Sequence, residues 1–115
     1  MGAAMEVPRI SDLAGLPVEV AVPGEHGVVS LTASANDGSV VTLTWDEVAR
    51  SVHVRWTAGG EERLVIERET VSSVSVRVES GRVEFWIWSR AGDIGGTLVI
   101  RVGEAVHMSD ALLRR

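Results

Sequence analysis

Apolar residues fall on every second position through most of the chain between Val41 and Val102. A period of two is typical of a β-strand with one buried face, because successive side chains point to opposite sides of a sheet. Six strands follow directly from this alternation. Their apolar positions are Val41, Leu43 and Trp45; Val52, Val54 and Trp56; Leu64 and Ile66; Val74, Val76 and Val78; Val83, Phe85 and Ile87; and Leu98, Ile100 and Val102.

The residues between these strands predict the register. Ser80-Gly81 is typical of a two-residue hairpin turn, so we expect Glu79 opposite Arg82. Counting outward from each turn then pairs apolar with apolar residues. The predicted pairs are Val78 with Val83, Val76 with Phe85, Val74 with Ile87, Trp56 with Leu64 and Val54 with Ile66 across a three-residue loop at Gly59-Gly60-Glu61, and Leu43 with Val52 across Asp46 to Ala49. Thr70 is taken as the centre of the turn that joins the next two strands.

Two shorter strands are predicted upstream, one through Val18, Val20 and Val22 and one through Val29, Leu31 and Ala33. The sequence therefore predicts an all-β fold: an antiparallel up-and-down meander of about eight strands. To hide its edges, such a meander closes or rolls into a small barrel or a two-layer sheet.

The two ends of the chain have separate predictions. Ser109 to Arg115 is predicted as a short C-terminal helix with Ser109 as its N-cap. Ser11-Asp12 is a candidate start for a single helical turn. We expect residues 1–15 to be an N-terminal arm, partly disordered, and residues 16–115 to be a single β domain.

The face of the sheet opposite the aliphatic stripe carries two tryptophans, Trp86 and Trp88, on one strand. Three rows across this face are predicted: Thr57, Arg63, Arg77, Glu84 and Arg101; then Arg55, Val65, Ser75, Trp86 and Val99; then His53, Glu67, Ser73, Trp88 and Thr97. Large indole rings beside small residues and arginines are typical of interface hot spots. The predicted partner-binding surface therefore comprises Trp86, Trp88, Val99, Ser73, Ser75, Val65, Arg77 and Arg101.

Three states of this tryptophan pair remain open. The rings could be covered by the N-terminal segment or by Ala111, Leu112 and Leu113 of the terminal helix; they could bind another protein or a second copy of the chain; or they could bind a small ligand. Trp45 and Trp56 share the parity of the aliphatic stripe and are therefore predicted to lie in the core.

Composition and charge exclude several classes of protein. The net charge is −5 and the arginines are scattered among glutamates, which argues against a nucleic-acid-binding protein. No run of 18 apolar residues could span a membrane, and the first residues lack the pattern of a signal peptide, so we expect a cytoplasmic protein without a membrane partner. The chain has no cysteine, which excludes disulfides and thiolate metal sites. Every basic residue is arginine, a bias typical of a GC-rich bacterial gene.

No catalytic or metal-binding constellation stands out. The three histidines, His26, His53 and His107, are far apart in sequence, and His53 is predicted opposite Glu67 as a surface pair. The glycines around Asp93 precede a strand, whereas a phosphate-binding loop precedes a helix. We therefore expect no catalytic residues, no metal and no cofactor.

These observations favour a non-catalytic protein-binding or oligomerising module. Its most concrete form is an inhibitor or immunity-type partner of another bacterial protein, docked through Trp86 and Trp88, or a homo-oligomer. The alternative is a small-ligand-binding β-barrel in which Trp45 and Trp56 line a cavity. Small size, acidity and the lack of catalytic groups motivate the first reading.

Overall fold

A computed structural model describes residues 5–114, which form one helical turn and nine strands. The elements are α1 (Ile10–Leu13), β1 (Glu19–Ala21), β2 (Val28–Ser34), β3 (Val40–Asp46), β4 (Ser51–Ala58), β5 (Glu61–Arg68), β6 (Val71–Glu79), β7 (Arg82–Ala91), β8 (Ile94–Val102) and β9 (Val106–Arg114). Consecutive strands are antiparallel neighbours within two sheets, ordered β1-β2-β3-β4-β5 and β6-β7-β8-β9. The predicted meander is confirmed, with one strand more than expected.

The core lies between the two sheets, because each sheet contributes its aliphatic face to it. Leu31 and Leu43 of the five-stranded sheet and Phe85, Ile87 and Ile100 of the four-stranded sheet are completely buried in one cluster. The two-layer alternative of the prediction is therefore the observed one. The closed barrel is wrong, since neither sheet closes on itself: β1, β5, β6 and β9 are edge strands.

The hairpin between β6 and β7 confirms the register predicted from its turn. Ser80 and Gly81 have φ angles of 53° and 75°, as a two-residue type I′ turn requires. Glu79 lies opposite Arg82, and the three apolar pairs beyond them are all observed. The pairs predicted between β4 and β5, Trp56 with Leu64 and Val54 with Ile66, are confirmed as well.

Two details of the predicted register are wrong. Val52 pairs with Trp45 and not with Leu43, because the turn begins one residue later: Asp46 Oδ1 accepts backbone hydrogen bonds from the two residues that follow Glu47. In the next hairpin Thr57 pairs with Glu62 instead of Arg63, since a β-bulge absorbs one residue. The first slip is two residues long, so the buried face is unchanged.

The turn centred on Thr70 does not make a hairpin. It carries the chain from the five-stranded sheet to the four-stranded one, so β5 and β6 belong to different sheets. Val71 N donates to Arg50 O, in the turn between β3 and β4, and Arg90 N donates to Thr70 O. The three predicted rows are therefore each divided between two sheets.

The predicted C-terminal helix is wrong, because this segment forms β9. Ser109 pairs with Val99 and Ala111 with Thr97 along the free edge of β8. A helix of seven residues would leave most of its backbone groups without intrahelical partners, whereas strand pairing satisfies one side of the segment along its whole length.

The N-terminal arm contributes side chains to the core and contacts the edge of β6. Met5 and Leu13 are buried in the core, and α1 forms at the predicted helical turn. Glu6 makes a parallel bridge to Ser73 at the edge of β6. Among residues 5–114 no helix has the length and apolar character needed to cross a membrane.

Candidate protein-binding surface

Seven of the eight predicted surface residues lie together on the outer face of the four-stranded sheet. The observed rows are Arg77, Glu84, Arg101 and His107; Ser75, Trp86, Val99 and Ser109; and Ser73, Trp88, Thr97 and Ala111. We call this the tryptophan face. Val65 is not part of it, because it lies in the five-stranded sheet, where it pairs with Arg55.

Trp86 and Trp88 form a stacked pair at the centre of the tryptophan face. Their ring centroids are 5.7 Å apart and their planes differ by 24°. The guanidinium of Arg77 lies over the Trp86 ring, with Cζ 4.5 Å from the centroid. The cation–π contact and the ring stack together fix the orientations of the Arg77, Trp86 and Trp88 side chains relative to one another. The result is a ridge of flat groups that is only partly buried.

The buried carboxylate of Glu84 fixes the orientation of the Trp86 ring in this ridge. Glu84 is 4% exposed and accepts a hydrogen bond of 3.2 Å from Trp86 Nε1 and one of 3.1 Å from Arg101 Nε. Arg82 completes the cluster, 3.2 Å from the same carboxylate. The hydrogen bond from Trp86 lowers the pKa of Glu84 below its ordinary value, burial opposes this, and Arg101 and Arg82 lower it further. The carboxylate therefore stays ionised and paired.

Small residues flank the ridge on the side of β9. Val99 is 6% exposed and lies beside Trp86, while Thr97, Ser109 and Ala111 continue the face toward the edge of the sheet. These side chains are all shorter than the indole rings beside them. A partner side chain placed there would contact both the rings and the sheet.

The N-terminal arm borders the ridge on the side of β6. A groove of about 470 Å³ separates the arm from the sheet, and its lining includes Val7, Pro8, Val76, Arg77 and Trp88. The arm therefore flanks Trp88, and both tryptophans keep part of their surface exposed. A terminal helix, one of the covers left open by the sequence, does not form, because Val106–Arg114 is strand β9.

The other two tryptophans belong to the core, as predicted. Trp45 is completely buried and Trp56 packs against the core cluster. Within residues 5–114 the strands form two separate open sheets, whereas the alternative prediction of a ligand-binding barrel requires one closed sheet.

One pocket of the described residues gathers polar side chains: His53 and Glu67 line a cavity of about 260 Å³ together with Ser51, Asp46 and Arg68. His53 Nδ1 lies 3.3 Å from Glu67 Oε1 on the five-stranded sheet, as the predicted register requires. His107 lines a separate groove of about 690 Å³ with Arg82 and Glu104. Within residues 5–114 no group of three or more histidine or carboxylate side chains is placed to hold a metal ion.

Two features of the site were missed by the sequence reasoning. Glu84 was predicted between two arginines, but its hydrogen bond to Trp86 was not, although i and i+2 residues of one strand share a face. The contact of Glu6 with β6 could not be predicted from the sequence, because a parallel bridge of one residue requires neither a turn motif nor an alternation of apolar residues.

The fold resembles that of a chain in a solved structure described as a contact-dependent growth inhibition toxin–immunity protein complex from Klebsiella pneumoniae 342. The TM-score is 0.77 at 16% sequence identity, and the likeness covers 96% of this chain and 98% of that chain. At this identity the likeness shows a shared fold. No protein-family model matches the chain, and no curated protein matches it in sequence.

Proposed function

We propose that this chain is a non-catalytic immunity-type protein that binds a bacterial toxin domain and inhibits it. The observation that carries the proposal is the fold likeness, over nearly the whole length of both chains, to a component of a toxin–immunity protein complex. Fold alone does not assign function, so the assignment to the immunity side rests on this chain's own residues. Its scattered histidines favour the inhibitor over a toxin enzyme.

The tryptophan face is the proposed docking surface. Trp86 and Trp88 supply large, rigid, partly exposed rings, and tryptophan and arginine are over-represented among residues that dominate binding energy. Glu84 and Arg77 hold the rings in place before binding, so little side-chain entropy is lost on docking. The proposed role places the protein in the cytoplasm of the cell it protects, without a nucleic-acid or membrane partner.

The test is a titration of purified toxin domains encoded in the genome that carries this chain, by calorimetry. We expect one domain to bind and to lose its toxic activity at equimolar ratio. A variant with Trp86→Ala and Trp88→Ala should weaken binding at least about 100-fold, since each hot-spot residue contributes roughly 2 kcal/mol or more.

A matched control uses apolar side chains that are exposed elsewhere. Leu64 and Val65 of β5 are 39% and 41% exposed, and a variant with Leu64→Ala and Val65→Ala should bind like the unchanged chain. Circular dichroism verifies that both double variants fold. Equal affinity of the tryptophan variant would refute the docking surface, and a dimer that dissociates in this variant would assign the surface to a second copy.

A further inference from the structure

Strand β6 is paired along one side by β7. Among the described residues, the backbone bonds on its other side come from Arg50, at Val71, and from a short part of the N-terminal arm. Glu6 N donates to Ser72 O at 3.0 Å, and Val74 N donates to Glu6 O at 2.8 Å. Both β6 residues have even numbers. Their backbone groups therefore point away from β7 and toward the arm.

By the same alternation, the backbone groups of Val76 and Val78 point away from β7. The closing pair of the two-residue hairpin, Glu79 with Arg82, is a hydrogen-bonded pair, so the odd-numbered residues of β6 bond to β7. Val76 and Val78 then direct their N–H and C=O groups outward. Within residues 5–114 no strand or loop backbone pairs with them there.

Pro8 explains why the arm does not cover this part of the edge. In a parallel ladder the residue two positions after Glu6 would donate to the carbonyl of Val74. Proline has no N–H, so pairing stops at this point. The groove of about 470 Å³ lies where the arm leaves the edge, and Val76, Arg77 and Trp88 line it.

We propose that an extended strand of the toxin partner adds to the edge of β6 at Val76 and Val78, and so enlarges the four-stranded sheet. This inference rests on the proposed function and deepens it, because the edge is continuous with the tryptophan face through Arg77. Edge strands with unpaired backbone groups are templates for strand addition. Val78 is 42% exposed and favours an apolar residue on the added strand.

The charge of Arg77 indicates which side chain the added strand should carry beside it. The Arg77 side chain is exposed and lies over Trp86. No ion pair to Arg77 is formed within the described residues. A carboxylate on the partner strand would therefore meet an available guanidinium, and the expected segment alternates apolar residues with an acidic one.

The first experiment uses a strand probe, a capped heptapeptide Thr-Val-Glu-Val-Thr-Val-Thr, titrated into the ¹⁵N-labelled chain. We expect the amide resonances of Val76, Arg77 and Val78 to shift, and hydrogen exchange to slow at the outward amides of Val76 and Val78. Val76→Pro should weaken binding at least about tenfold, since it removes an outward donor while sparing the bonds to β7. Val76→Thr keeps the N–H and should bind within about threefold of the unchanged chain.

The outcomes separate this inference from the proposed function. Strand addition is overturned if the peptide shifts the resonances of other residues, or if it binds the Val76→Pro variant as tightly as the unchanged chain. If the Val76→Pro variant does not fold, the unchanged chain decides: exchange at Val76 that the peptide does not slow overturns strand addition. A toxin domain that binds the tryptophan face but leaves the amides of Val76 and Val78 unprotected also overturns strand addition. In that case the proposed function stands. A protected edge with the peptide and no toxin domain that binds overturns the proposed function.

Discussion

The indole N–H of Trp86 donates a hydrogen bond of 3.2 Å to Oε1 of Glu84, two residues earlier on the same face of β7. The second carboxylate oxygen accepts from Arg101, so the buried charge is paired on both sides. Burying a carboxylate is unfavourable unless such partners satisfy it. The ridge of the proposed docking surface therefore has an internal support that does not depend on a partner.

Replacement of Glu84 tests this support. Glu84→Ala should lower the free energy of unfolding by about 2 kcal/mol, because hydrogen bonds to a charged group are lost while the half-exposed arginines regain water. Urea unfolding measures the change. Glu79 is an exposed carboxylate on the neighbouring strand, and Glu79→Ala should change stability by no more than about 0.5 kcal/mol. Equal losses in the two variants would contradict the role of Glu84.

The lowered pKa of Glu84 predicts a pH dependence with a definite sign. Because the folded-state pKa of Glu84 lies below the ordinary value of 4.5, the unfolded chain binds the proton first as the pH falls. The stabilisation is complete above that value and is lost as the pH falls through the folded-state pKa. Urea unfolding of the unchanged chain and of Glu84→Gln should differ by a constant amount near pH 7, and the difference should shrink below pH 4.5. A difference that grows on acidification would contradict the assignment.

Much of the fold was predictable because alternation and turn chemistry agree. The Ser80-Gly81 turn and the apolar pairs beyond it describe one register, and a slip of one residue would expose the whole core face. The crossing at Thr70 was not predictable in this way. The turn at Thr70 could join β5 and β6 as a hairpin or could carry the chain to a second sheet. Both arrangements bury the same face of each strand, so the apolar alternation in the sequence is the same for both.

The site was predictable in part for the same reason. Trp86, Trp88 and Arg77 follow from parity and from a single hairpin register. Val65 was placed wrongly because its position depended on the Thr70 turn. The end of the chain was also misassigned, since Ser109-Asp110 is typical of a helix N-terminus, whereas the open edge of β8 offers pairing that no local pattern encodes.

The core and surface tryptophans should respond differently to truncation. Trp45 is completely buried, and Trp45→Ala should destabilise the protein by about 3–5 kcal/mol through the cavity it leaves. Trp88 keeps part of its surface exposed, so Trp88→Ala should cost no more than about half as much. Chemical unfolding of the two variants compares them. A larger loss at Trp88 would mean that its ring is part of the core.

Pro8 separates the arm's own pairing from the edge that remains open. Pro8→Ala restores an N–H that can donate to the carbonyl of Val74 and brings the next carbonyl toward the amide of Val76. We expect the amides of Ala at position 8 and of Val76 to exchange more slowly, by about tenfold for each hydrogen bond gained. The strand probe should bind more weakly to this variant, because the arm then occupies its place. Pro23→Ala, at an exposed proline between β1 and β2, is the control and should change neither quantity. Faster exchange at Val76, or unchanged affinity for the probe, would show that proline does not set the end of the ladder.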